Sequence, residues 1–134
     1  MKLVDTNIVV NLLIDGPYSE SARALFALDR DWQSESLLMV ELVNVLVTTM
    51  RTLKRPLAQA AATLAEAQHI MSPGLRSVAD QDVLSAAAHF GVSGYDARFL
   101  VVARAIGQPL ITEDAKLRRA APSLTCSIAE ALAG

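Results

Sequence analysis

Apolar residues along this chain come in short runs that stop at carboxylates or turn residues, and strand-like runs alternate with helical spacing. Leu3-Val4 ends abruptly at Asp5, after which Ile8-Val9-Val10 and Leu12-Leu13-Ile14 bracket the polar Asn11. That pattern predicts a buried strand entering a helix, with Asp5 at the junction. Asp15-Gly16-Pro17 reads as a turn, and Ser19 as the cap of a helix with Ala22, Leu25 and Phe26 on one face. Trp32-Gln33-Ser34 is placed as a strand mainly because a parallel sheet needs one there. From Leu37 to Thr52 apolar residues surround a helix on every side, which predicts burial. Glu41 interrupts that helix, with Asn44 on the same face.

Pro56 opens the next helix, in which Leu57, Ala61, Leu64, Gln68 and Met71 keep a helical rhythm until Ser72-Pro73-Gly74. These two helices predict an antiparallel clip on one flank. Leu75 to Val78 suits a short strand. A helix then begins at Asp80 and Asp82, turns Val83, Leu84, Ala87 and Phe90 inward, and stops at Gly91. Asp96 caps a helix from Ala97 to Ile106 that buries Phe99, Leu100, Ala103 and Ile106 and stops at Gly107. Leu110-Ile111-Thr112 is a short strand, followed by Glu113, Asp114 and a basic helix with Lys116, Arg118 and Arg119. A strand at Leu124-Thr125-Cys126 and a helix from Ile128 to Leu132 complete the pattern. No linker or internal repeat divides it, so residues 1–134 are expected to form one α/β domain.

Composition sharpens this only in part. The chain is 52% hydrophobic with 4% aromatics, which suits a helix-rich globular protein. The single cysteine, Cys126, excludes an internal disulfide and reads as packing in a reducing compartment. No apolar run is long enough to span a membrane, and Asp5 interrupts any signal-peptide core, so a cytoplasmic location is expected. A net charge of −2 gives no case for tight nonspecific binding to nucleic acid, while leaving room for a local basic patch. His69 has no ligand-spaced neighbour and reads as a helix-surface residue, and His89 reads as structural.

Each acid has a local explanation: Asp5, Asp96 and Asp114 suit helix caps, and Glu41 suits a salt bridge or a rim position. Read together they form a pattern. Asp5 and Asp114 fall at matching strand-to-helix junctions, Glu41 interrupts an apolar helix, and Asp96 opens another. Carboxylates gathered in one cleft repel one another and need a cation, and all-oxygen ligation without His or Cys selects Mg²⁺ or Mn²⁺. Such an ion in a small α/β cleft suits phosphodiester hydrolysis.

The ordered set Val4-Asp5-Thr6-Asn7, Val40-Glu41-Leu42, Tyr95-Asp96-Ala97 and Leu110-Ile111-Thr112-Glu113-Asp114 resembles PIN-domain ribonucleases, and most of all the VapC-type toxins of toxin–antitoxin pairs. The resemblance covers essentially the whole chain. It implies a three-layer α/β/α sandwich around a short parallel sheet, Mg²⁺- or Mn²⁺-dependent cleavage of RNA, and neutralisation by a small cognate antitoxin protein. By the same resemblance Asp5, Glu41, Asp96 and Asp114 match the acidic quartet. Thr112 matches a hydroxyl position near the metal, Asn7 a bracing polar residue, and Thr6 is grouped with them as supporting. Some members carry a further acid two positions after the last Asp, where this chain has Lys116. That departure argues against a firmly held second ion. Arg51, Lys54, Arg55, Arg98, Lys116, Arg118 and Arg119 are candidate RNA contacts. The apolar helix surfaces suit a homodimer and a groove for an antitoxin segment. Two rivals remain open at this level. One is a non-catalytic binding module on the same fold. The other is a phospho-receiver domain, although Asp5 lacks the adjacent acid and Thr125-Cys126 stands where a receiver wants Lys.

Overall fold

The computed structural model describes all residues from Met1 to Gly134. Five short strands form one parallel sheet: β1 (Lys2–Val4), β2 (Trp32–Glu35), β3 (Leu75–Arg76), β4 (Leu110–Ile111) and β5 (Thr125–Cys126). Their spatial order is β3-β2-β1-β4-β5. Between them run α1 (Thr6–Leu13), α2 (Ser19–Leu28), α3 (Leu37–Thr52), α4 (Leu57–Met71), α5 (Asp80–Phe90), α6 (Gly94–Ile106), α7 (Ala115–Ala120) and α8 (Ile128–Ala133).

From β1 the chain steps outward to β2 and β3, then crosses back to β4 and continues the other way to β5. Parallel crossovers are right-handed almost without exception, so this reversal places α1–α4 on one face of the sheet and α5–α7 on the other. The packing agrees: α1 touches α2, α3 and α4, whereas α6 touches α5, β2 and β4. The result is a helix–sheet–helix sandwich. Receiver domains follow the order 2-1-3-4-5, so the observed order sets that rival aside.

The core lies where both layers meet the sheet. Leu3, Val4, Leu110 and Ile111 are buried between Ile8, Val9, Leu38 and Leu42 on one side and Phe99, Leu100 and Ala103 on the other. A parallel strand covered on both faces has no polar side, which explains why the buried positions Leu3-Val4 of β1 and Leu110-Ile111 of β4 are all apolar. α5 and α6 each stop at a glycine, Gly91 and Gly107, both with φ of 67°. That left-handed conformation is what a non-glycine residue resists.

Several sequence expectations change. Ser19 is the first residue of α2, not its cap; its buried hydroxyl accepts from Gly16 N at 2.9 Å and donates to Ile14 O at 3.2 Å. α6 begins at Gly94, capped by Ser93, which moves Asp96 from the cap into the first turn. α4 buries Ala60, Ala67 and Met71, and leaves Leu57 and Gln68 exposed. In α5 the stripe Val83, Ala86, Ala87, Phe90 faces inward, so Leu84 stands 73% exposed on the opposite flank. α3 is not buried all round: Leu38, Leu42 and Leu46 face inward, while Val40 and Val43 are exposed. α1 and α4 cover only part of its circumference, so the remaining apolar face is left open. The α3–α4 clip does form, with Lys54 at φ 53° turning the chain between the helices.

Candidate active site

In an open α/β sheet, the cleft forms beyond the carboxyl ends of the two adjacent strands from which the chain departs in opposite directions. Here those strands are β1 and β4. Asp5 follows the last residue of β1, and Thr112 the last residue of β4. Topology alone therefore sets these two side chains beside each other.

Asp5 is 8% exposed and fully engaged. One carboxylate oxygen caps α1 by accepting from Thr6 N at 2.7 Å. The other accepts from the Thr112 hydroxyl at 2.7 Å and from Asn7 Nδ2 at 3.3 Å. Asn7 Nδ2 also reaches Thr112 Oγ1 at 3.2 Å, and its Oδ1 accepts from Glu113 N at 3.2 Å. Thr112 Oγ1 further accepts from Asp114 N at 3.1 Å, which fixes the turn carrying the last acid. Asp114 caps α7 with one oxygen, accepting from Lys116 N at 3.0 Å and Leu117 N at 3.1 Å. Across the cleft, Thr6 Oγ1 donates to Glu41 Oε1 at 2.6 Å, tying α1 to α3.

Asp5, Glu41, Asp96 and Asp114 line one open cleft of about 570 Å³, together with Thr6, Asn7, Asn44 and Tyr95. Val10, Leu37, Val40 and Val45 form its apolar flank. A smaller cavity of about 180 Å³ adjoins it behind Asp96 and Asp114, with Ser93 and Lys116 on its wall. None of the four acids forms an ion pair; the ion pairs of the molecule lie elsewhere. The partner of Glu41 is thus a hydroxyl and not an arginine.

Burial pushes the Asp5 carboxyl up to about 6; hydrogen bonds from Thr112 and Thr6 N pull the other way, and the charges of Glu41 and Asp96 add to the rise. Asp96 is also raised, first by burial and then by the charge of Asp114, against the opposing effects of Ser93 and Lys116. The cleft is a negative site without an ion pair, and only Lys116 acts against its charge. No three acids converge into a closed ligand set. The donor set is all oxygen, and an oxygen of Glu41 and one of Asp114 have no hydrogen-bond partner. These features fit a hydrated hard cation held by a few carboxylates with water in its remaining positions.

The basic candidates scatter. Lys116 borders the acids. Arg98 donates to buried Glu35 at 3.0 Å, and Arg118 to Thr112 O at 2.7 Å, so both have structural partners. Arg51, Lys54 and Arg55 lie at the far end of α3 and in the turn after it, with Arg51 about 15 Å along the axis from Glu41. Arg119 is exposed on α7. Sequence reading passed over Tyr95 and Asn44 as lining residues and Glu35 as a buried acid. Only the position of Asn44, one turn from Glu41, carried a signal.

A parallel α/β sandwich with a carboxylate-lined cleft at its switch point defines the class of architecture. A family model for the PIN domain matches residues 2–122, and the chain belongs to the PIN-domain family, which is typically a nuclease fold. Among solved structures it is similar to PAE2754 from Pyrobaculum aerophilum, with a TM-score of 0.77 and 23% identity over 98% of this chain and 86% of that one. No curated relative matches. No helix is long and apolar enough to cross a membrane.

Proposed function

We propose that this protein is a Mg²⁺- or Mn²⁺-dependent endoribonuclease, acting in the cytoplasm as the toxin of a VapC-type toxin–antitoxin pair. The observation that carries the reading is the gathering of Asp5, Glu41, Asp96 and Asp114 in one cleft with no basic partner. Asp5, Asp96 and Asp114 would hold the ion directly or through waters, with Glu41 completing the shell or orienting the attacking water. When bound, the ion neutralises charge building on a phosphate and makes water a better nucleophile.

The chain's own residues do the rest. Thr112 and Asn7 fix the orientation of Asp5, and Thr6 fixes that of Glu41. Asp5 is nearly buried at its junction of β1 and α1, while Tyr95 on the same cleft is exposed and leaves room for a chain-like substrate. Lys116 sits where it can neutralise a substrate phosphate next to Asp96. In-line attack by water leaves 3′-hydroxyl and 5′-phosphate ends. The apolar flank at Val10, Val40 and Val45 supports an antitoxin segment beside the cleft, and the open face of α3 supports a homodimer.

The test is cleavage of total RNA by protein freed of any partner, with Mg²⁺ or Mn²⁺ and with EDTA, beside Asp5→Asn and Asp96→Asn. Metal-dependent cutting that both substitutions abolish is the expected result. Ends carrying 2′,3′-cyclic phosphate would refute the water mechanism. A wild type that neither cuts RNA nor arrests growth on expression would point to a non-catalytic module.

A further inference from the structure

Glu35 is the one carboxylate in the molecule with a fully buried side chain that the site does not use. It ends β2, the strand next to β1, and three groups converge on it. Its Oε2 accepts from Leu37 N, the first residue of α3, at 2.6 Å. Its Oε1 accepts from Ser36 Oγ at 3.0 Å and from Arg98 Nη2 at 3.0 Å. Arg98 lies on α6, two residues after Asp96, and Leu37 lies one turn of α3 before Glu41. α3 and α6 belong to opposite layers and reach each other here around the end of β2.

We infer that Glu35 and Arg98 form a clasp that sets the spacing of Glu41 and Asp96 across the cleft, making both positioning residues for the proposed nuclease. Three features argue for positioning over simple adhesion. The acid satisfies the free N-terminus of α3, fixing where that helix begins and so where Glu41 falls. The arginine engages through a single Nη contact, and its buried Nε has no partner, so the geometry is held by one bond. The other linkage between Glu41 and the Asp5 side, through Thr6, does not reach α6 at all. Without the clasp, nothing polar connects the helix of Asp96 to that of Glu41.

The inference rests on the nuclease reading, and its test separates the two. Glu35→Gln/Arg98→Met keeps an acceptor for Leu37 N, leaves no unpaired buried charge, and removes only the tie to α6. It is expected to stay folded, with a melting temperature near that of wild type. Mn²⁺ affinity, read by electron paramagnetic resonance, and kcat are expected to fall about 10–100-fold, with KM for RNA nearly unchanged. Arg98→Lys, which keeps the charge and one donor, is expected to recover part of both. Amide hydrogen exchange is expected to quicken at 93–98 and 36–41 in the double variant. A folded double variant with wild-type Mn²⁺ affinity, kcat and exchange would overturn the clasp. A wild type that binds no Mn²⁺ and cuts no RNA would overturn the nuclease reading, and exchange at those two segments would still decide the clasp.

Discussion

Asp5→Asn is expected to make the metal-free protein more stable at neutral pH while abolishing cleavage. Asp5 ionises in solvent near 3.8 but, buried, near about 6. Below the lower value the carboxyl is protonated in folded and unfolded chains alike and costs nothing. As pH rises the unfolded chain releases its proton first, so stability falls across this window and the full cost is reached above the higher value. The gap corresponds to about 3 kcal/mol. Asparagine keeps the acceptor for Thr6 N but turns an amide toward Asn7 Nδ2 and Thr112 Oγ1. The Thr112 hydroxyl, which already accepts from Asn7 Nδ2 and Asp114 N, loses its acceptor and Asn7 loses one partner, which together offset about 2 kcal/mol. A net gain of about 1 kcal/mol at pH 7 is therefore expected, shrinking to nothing or reversing near pH 4. Urea unfolding in EDTA at both pH values measures it. Added Mg²⁺ is expected to raise the stability of wild type alone, by binding only the folded state. A variant less stable than wild type at pH 7, or a difference that does not change with pH, would refute the account of Asp5 as a desolvated, uncompensated charge.

Two further substitutions probe the frame around the acids. Thr112→Val keeps the buried shape but removes the hydroxyl shared by Asp5, Asn7 and Asp114. It is expected to move the acid limb of the pH–rate profile upward and to cut kcat about 10–100-fold, read from initial rates of RNA cleavage. Gly74→Ala drives a Cβ into Trp32 O, against backbone that cannot yield. A loss of about 3 kcal/mol or more by thermal unfolding is expected, with the site chemistry intact in whatever fraction folds.

The parts of the fold legible in the sequence are those decided locally. β1 and β4 announce themselves because their doubly covered positions, Leu3-Val4 and Leu110-Ile111, are apolar, and Gly91 and Gly107 mark helix ends because few other residues adopt their φ. β2 was nearly invisible. Gln33, Ser34 and Glu35 are polar yet buried, each for a tertiary reason: Ser34 Oγ donates to Val4 O, Glu35 holds Arg98, and Gln33 Oε1 accepts from Arg76. The face of α3 was misread for the complementary reason. Apolar periodicity shows which side of a helix can be buried, but not whether another element arrives to cover it, and nothing in this chain covers Val40 and Val43.

The site was legible as an ordered set and not residue by residue, because cap and ligand look like competing explanations for one aspartate. In the structure the two readings are compatible, because the two oxygens of each carboxylate have different surroundings. Asp5 spends Oδ1 on Thr6 N and turns Oδ2 to Thr112 and Asn7. Asp114 gives Oδ1 to both Lys116 N and Leu117 N, which leaves Oδ2 without a partner. Capping fixes the rotamer, and a fixed rotamer aims the second oxygen. A helix start at a strand end is thus a means of presenting a carboxylate to a cleft, and for Asp5 and Asp114 the local reading is a condition of the proposed functional one. Glu41 and Asp96 lack that device. Glu41 leans on Thr6 from a half-exposed helix face, and the Asp96 carboxylate has beside it as a hydrogen-bond partner only Ser93, the cap of its own helix. Their spacing must come from how α3 and α6 are anchored, which places the burden of precision on Leu37 and Arg98, where the two helices meet the buried Glu35.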